Sequence, residues 1–219
     1  MLSSFFKLFN ERQVCLFKKT NMIIQFCGLS GSGKSTLARA AATALKKQGI
    51  DVEIIDGDEY RATLCKGLGF SKQDRLENMR RMAFVAAQLS KHGVVTIICA
   101  INPYEEMRKE VSAAYPNVVT AFIDCSVETL KIRDTKGLYQ KAFLPLHHPD
   151  RINNLTGIND PFDRPAKPDI YINTDKETIV SCVNKMVSFV TGRLLLKKPF
   201  LSSKYFNNAT PHFNNYINL

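Results

Sequence analysis

The stretch Gly28-Leu29-Ser30-Gly31-Ser32-Gly33-Lys34-Ser35-Thr36 constrains this chain more than any other. It follows the apolar run Met22-Ile23-Ile24-Gln25-Phe26-Cys27 and opens the Ala-rich run from Leu37 to Lys47. Strand, glycine loop and helix, in that order, is the context in which G-x-x-x-x-G-K-[ST] reads as a phosphate cradle rather than a plain turn. Glycines let the backbone wind so that its N–H groups point inward, an anion nest at a helix N-terminus. In such a loop Lys34 reaches the β- and γ-phosphates of a nucleoside triphosphate, and the Ser35 hydroxyl sits on Mg²⁺. ATP and Mg²⁺ are therefore the expected ligands, with Gly28, Ser30, Gly31, Ser32, Gly33, Lys34, Ser35 and Thr36 on the nucleotide.

The rest of the chain alternates strand and helix patterns. Helix 34–48 ends at Gly49, and Val52 to Ile55 is a short strand running into Asp56-Gly57-Asp58. A long helical period from Asp74 to His92 carries Leu76, Met79, Ala83, Ala86 and Leu89 and stops at Gly93. Val94 to Cys99 is an unbroken apolar run, the mark of a parallel strand buried on both faces. Pro103 is expected to start a helix to about Ala114. Val118 to Ile123 reads as a strand, and Ser126 as the cap of a helix towards Asp134. Residues 135–168, rich in Pro, Asn, Asp and His, read as a lid or binding loop. Ile170 to Ile172 is the last strand and Lys176 to about Gly192 the last helix. The expected architecture is an α/β P-loop fold, a parallel sheet flanked by helices on both faces, with ligands at the carboxyl ends of the strands.

A net charge of +10 raises the question of nucleic acid, but its distribution answers it. Residues 1–21 and 193–219 carry +3 and +4, leaving only +3 for the body at 22–192. That suits a pocket for anionic nucleotides and supplies no basic stripe. The six cysteines include no C-x-x-C pair, so reduced thiols and a cytoplasmic location are expected. No stretch approaches the ~20 apolar residues of a membrane span. Residues 1–21 fail as a secretory signal because Lys7, Glu11 and Arg12 interrupt the apolar region. They read as an extension upstream of a domain that begins at Met22, with a transit-like amphipathic segment as the alternative. Residues 193–219, basic and rich in Asn and aromatics, read as a C-terminal extension.

Four further clusters bear on the acceptor. Asp56-Gly57-Asp58-Glu59-Tyr60-Arg61 lies at the carboxyl end of the second strand. Gly69-Phe70-Ser71 leads into Asp74-Arg75-Leu76-Glu77-Asn78. Ile101-Asn102-Pro103-Tyr104 precedes Arg108. Arg133-Asp134-Thr135-Lys136-Gly137-Leu138-Tyr139 is followed by Leu155-Thr156-Gly157-Ile158-Asn159-Asp160-Pro161. Carboxylates across from a phosphate loop can orient or deprotonate a hydroxyl and help hold hydrated Mg²⁺, which gives Asp56 and Asp58 a catalytic reading. Arg61 and Arg75 are forks suited to phosphate or sulfate, and Phe70 can stack on a purine. Arg133 and Lys136 are cations placed to neutralise charge on a transferred phosphoryl group.

Together with the glycine loop, these clusters resemble the adenylylsulfate (APS) kinase family, in order, over about residues 22–190. The resemblance implies transfer of the ATP γ-phosphate to the ribose 3′-hydroxyl of APS, giving 3′-phosphoadenylyl sulfate, and a homodimer. It implies that Asp58, Arg61, Phe70, Arg75, Asn78, Ile101, Lys136 and Leu155 line the APS pocket. Lys34, Asp56, Asp58 and Arg133 would be catalytic, Arg133 also touching ATP, and Ser35 and Asp56 (through water) would hold the metal. The chain departs from the family at Asn102, where a serine is common, at Glu105, where a cation is common, and in a longer lid from Phe143 to Asp150. Glu105 and the lid favour a second reading, a same-fold kinase of another activated nucleotide such as a cytidine diphosphoramidate. A third reading is a non-catalytic nucleotide-binding module. The complete set Lys34, Ser35, Asp56 and Asp58 speaks against it, because binding alone does not need it.

Overall fold

The computed structural model describes residues 21–196. Five strands form one sheet in the order β2-β3-β1-β4-β5, every neighbouring pair parallel. They are β1 (Met22–Cys27), β2 (Val52–Asp56), β3 (Val95–Cys99), β4 (Val118–Asp124) and β5 (Ile170–Asn173). β1 is buried at every position, as is β3. Central strands covered on both faces need continuous apolar runs, which is what these residues supply.

The pleat sends alternate side chains to two cores. On one face Met22, Ile24 and Phe26 meet α1 (Lys34–Lys46) and α7 (Ile179–Leu196), through Leu37, Ala41, Leu45, Met186 and Val190. On the other face Ile23, Ile55 and Ile98 meet α3 (Lys72–Lys91) and α4 (Glu105–Ala114), through Met79, Met82, Ala86, Met107 and Val111. Truncating one of these buried side chains to alanine removes ~2–5 kcal/mol. A third, smaller cluster holds Cys125, Leu130, Tyr139, Ala142 and Leu155, with Leu29 packed against it. It joins α5 (Val127–Arg133), α6 (Leu138–Ala142) and the 152–158 segment to the glycine loop.

The fold class agrees with the sequence reading, and the boundaries move for identifiable reasons. A short helix α2 (Gly57–Ala62) follows β2 directly, because the Asp56 side chain caps it by accepting from the Asp58 N–H. Pro103 does not start α4, which begins after Tyr104. α6 interrupts the supposedly irregular 135–168 segment. α7 runs past Gly192 to Leu196, with Leu194 buried in the first core, so the basic tail begins inside a helix. The remainder of the two terminal extensions, residues 1–20 and 197–219, lies outside the described residues. Among the described residues no helix is long and apolar enough to cross a membrane.

Candidate active site

The glycine loop lies at the carboxyl ends of β1 and β4, held largely by backbone. The Gly28 N–H donates to the Ile101 carbonyl at 3.1 Å. A Cβ on Gly28 would stand 2.3 Å from the Ile123 carbonyl oxygen, so only glycine fits. Gly33 caps α1 in the left-handed region (φ 91°), which turns the chain into the helix with no side-chain cap. The first N–H groups of α1 are thereby left to an anion. Two more residues grip the loop from outside. The Tyr139 hydroxyl donates to the Ser30 carbonyl at 2.8 Å, and the Thr174 hydroxyl to the Ser32 carbonyl at 3.2 Å.

Lys34 folds along the loop. Its ammonium donates to the Gly28 and Leu29 carbonyls at 2.9 and 2.6 Å. Burial pulls its pKa down to about 8. The Ser35 hydroxyl donates to Asp56 Oδ2 at 2.8 Å, while Asp56 Oδ1 accepts from the Asp58 N–H at 3.0 Å. One carboxylate thus touches the donor loop with one oxygen and starts α2 with the other. A hydroxyl beside a carboxylate is a hard oxygen pair suited to hydrated Mg²⁺, which commonly takes one or two protein groups together with waters and phosphates. Gly31 and Thr36 stand more openly on the loop and the first turn of α1.

The predicted acceptor residues gather around Phe70. The Arg61 guanidinium lies 4.6 Å from the centre of its half-exposed ring and the Arg75 guanidinium 5.6 Å. Arg61 donates to the Gly69 carbonyl at 2.8 Å, and burial together with nearby Arg75 lowers its pKa. Arg75 is buried, its Nε on the Phe70 carbonyl and its Nη2 on the Asn154 carbonyl, both at 2.9 Å, with Asp160 at 3.4 Å. Asn78 follows one turn along α3. Among the described residues, four buried side-chain oxygens lack a hydrogen-bond partner: those of Asn78, Asn102, Thr156 and Asp160. Asp160 touches Arg75, and Thr156 bridges to Asp160 in the backbone. The Asn78 and Thr156 oxygens, on α3 and beside Asp160, leave polar atoms near this buried arginine open to a polar ligand, whereas Asn102 lies apart with Gln25 and Arg108.

The remaining predicted residues fall less evenly. Lys136, just before α6, pairs with the Asp58 carboxylate and so ties the lid to α2. Arg133 donates to the Thr174 carbonyl at 2.8 Å and reaches the donor loop only through that residue. Ile101 contributes its carbonyl to Gly28, and Leu155 is buried in the third cluster. Glu105 pairs with Lys109 one turn on at 2.8 Å, so its carboxylate is engaged on the surface of α4. His148 accepts from the Asp150 N–H within a turn, and the described residues hold no group of three or more metal-ligating side chains. Burial raises Cys27 and Cys99 to about 11 and about 12, which makes both inert apolar fillers.

Sequence reasoning missed Tyr139 and Thr174 as clamps of the loop. It also missed Gln25, the single polar side chain in β1 and fully buried, which is the signal that could have found it. Its amide donates to the Arg108 carbonyl, Ser112 and Thr120.

The sequence matches the model of the adenylylsulphate kinase family over residues 20–173. The chain belongs to that family. An adenylyl-sulfate kinase of Chloroflexus aurantiacus is 44% identical over 170 residues, covering 78% of this chain and 89% of the relative. One from Deinococcus deserti is 46% identical over 160 residues, 73% of this chain and 86% of the relative. Among solved structures, the Mycobacterium tuberculosis APS kinase in complex with AMPPNP and APS superposes with a TM-score of 0.72. It is 33% identical, and the match covers 78% of this chain and 98% of that one. All three are named for adenylylsulfate, none for the cytidine diphosphoramidate of the second reading.

Proposed function

We propose that this adenylylsulfate kinase family member transfers the γ-phosphate of ATP to the ribose 3′-hydroxyl of APS, giving 3′-phosphoadenylyl sulfate. The observation that carries the proposal is the contact between Ser35 and Asp56. It joins the donor loop to the carboxylate from which α2 springs, and α2 and its neighbour α3 bring Asp58, Arg61, Arg75 and Asn78. Donor cradle, carboxylate and acceptor wall are therefore continuous.

In this reading the backbone N–H groups of the loop and the Lys34 ammonium hold the β- and γ-phosphates, and Arg133 supports them from the Thr174 side. Ser35, and Asp56 through water, hold Mg²⁺, which when bound neutralises phosphate charge. Asp56 accepts the proton of the 3′-hydroxyl as it attacks the γ-phosphorus in line, and ADP leaves. Phe70 stacks on the adenine, Arg61 and Arg75 grip the phosphosulfate, and Asn78 offers its unpartnered oxygen. Asp58, Ile101, Lys136 and Leu155 complete the pocket. Asn102 cannot carry a phosphoryl group, so both substrates bind together and transfer is direct. The domain, which begins at Met22 and whose last helix carries it past residue 192 to Leu196, acts with its lid at 135–168 in the cytoplasm as a homodimer in the service of sulfate assimilation.

A coupled ADP-release assay with APS and a panel of other nucleotides tests this. Rapid ADP release with APS and little with the others is expected. ADP release with a cytidine nucleotide and none with APS would overturn it.

A further inference from the structure

We infer that Arg108 is a positioning residue that ties the acceptor-side segment 160–163 to the turn after β3 on which the donor loop leans. Its side chain is 4% exposed, and among the described residues no carboxylate lies within ion-pairing distance. A buried guanidinium that no carboxylate contacts is costly and is kept only where its donors are well used. Here they span two segments. One Nη donates to the Asn102 carbonyl at 2.8 Å and approaches Cys27 Sγ at 3.5 Å, and the other donates to the Asp163 carbonyl at 2.7 Å.

Each end leads to one substrate. On the donor side, Asn102 is held in the left-handed region (φ 48°), which asparagine tolerates better than most residues. Its amide donates to Gln25 Oε1 at 3.1 Å, and the Gln25 amide returns to the Arg108 carbonyl at 3.1 Å. That circuit fixes the turn whose preceding residue, Ile101, accepts from Gly28 of the donor loop. On the acceptor side, the Asp163 N–H donates to the Pro103 carbonyl at 2.9 Å, and its carboxylate accepts from the Glu105 N–H at 3.0 Å. Three residues earlier Asp160 meets Arg75. Arg108 thus sets the spacing between the two halves of the site without touching either substrate. A lysine keeps the charge and loses the fork.

The acceptor-kinetics part of the test rests on the APS reading, while the amide-exchange part does not. The full-length wild type, Arg108→Lys and Asp163→Ala are compared by hydrogen exchange, ATP titration without acceptor, and APS kinetics. For Arg108→Lys, amides in 101–105 and 155–164 should exchange about tenfold faster while those in 28–36 hold steady. The KM for APS should rise about tenfold with the ATP Kd within about twofold, the scale of a site loosened on one side. Asp163→Ala, at the surface, removes a parallel tie without emptying a buried site and should show the same contrast more weakly. Unchanged exchange in 101–105 and 155–164 in a folded Arg108→Lys, or in Asp163→Ala if the lysine variant does not fold, overturns the inference. So does an equal rise across 28–36 with an equal loss of ATP affinity, the outcome of a merely structural role. A wild type inert towards APS but showing the exchange contrast would remove the APS reading and leave this one standing.

Discussion

The donor loop and the acceptor wall are built from different materials. The loop is backbone held by backbone: Gly28 on Ile101, Gly28 pressed against Ile123, and carbonyls of Ser30 and Ser32 clamped by hydroxyls. The wall is side chain held by side chain and carbonyl, drawn from α2, α3 and the 152–160 segment. A backbone site tolerates change in most of its side chains and almost none in its glycines. A side-chain site can be retuned one residue at a time, and that is where relatives of one fold can diverge in what they accept.

The difference can be attacked from either side. Lys34 is the donor loop's only charged side chain, and Lys34→Ala should lower kcat at least about 10³-fold with the fold intact. ADP release and circular dichroism measure both, and a variant keeping a tenth of wild-type kcat would break the contrast. Asp56→Asn, at the junction, should cost roughly 10²–10⁴-fold in kcat while ATP still binds. Gly28→Ala should destabilise by about 1–3 kcal/mol and abolish nucleotide binding, because the new methyl meets a backbone oxygen. Gly49→Ala, also at positive φ but in open space, should cost about 1–2 kcal/mol in thermal unfolding and leave ATP affinity alone.

Proton linkage gives a gentler probe. Burial lowers the Lys34 pKa from its ordinary 10.5 to about 8, so the ammonium that meets phosphate is half lost near pH 8 and progressively emptied above it. ATP affinity should therefore fall as pH rises through about 8. Between about 8 and 10.5 the unfolded chain binds more protons, so this group's contribution to stability rises with pH. Titrations across that interval, with Lys34→Ala as control, separate it from other groups. The smallest effect belongs to Lys136→Ala. Its pair with Asp58 is exposed, so the melting temperature should barely move, within what a surface ion pair contributes, under about 1 kcal/mol. The KM for APS should still rise severalfold.

What could be read in the sequence follows the same division. The strand–loop–helix unit at 22–47 is local, and its glycines and lysine carry a mechanism in their order. The buried strands 95–99 and 118–124 were plain from apolar runs alone. α2 was missed because six residues give no period, and what makes them a helix is a cap from Asp56. Arg75 could be read from its chemistry as an anion-binding fork, whereas Asn78 drew attention only as a member of a family pattern. Nothing in its neighbours predicts that Asn154 and Asp160 come to meet Arg75. Glu105 misled for a related reason: a charge read against an aligned position suggested a new acceptor, whereas its helix supplies Lys109 as a local partner. Long-range hydrogen bonds leave little mark on composition or periodicity beyond an odd polar residue such as Gln25 in an apolar strand.

The strand order has a consequence for the chain's birth. β1 is made first but pairs with β3 and β4, Met22 lying beside Val95 and Ile23 beside Val118. The glycine loop that follows it leans on Ile101 and Ile123. During synthesis β1 therefore has no partner strand until β3 has left the ribosome, and both it and the loop lack their second support until β4 follows. Parallel pairing across such separations is slow and aggregation-exposed. Nucleotide is thus a late arrival in this protein's assembly, able to stabilise the finished sheet but not to nucleate it.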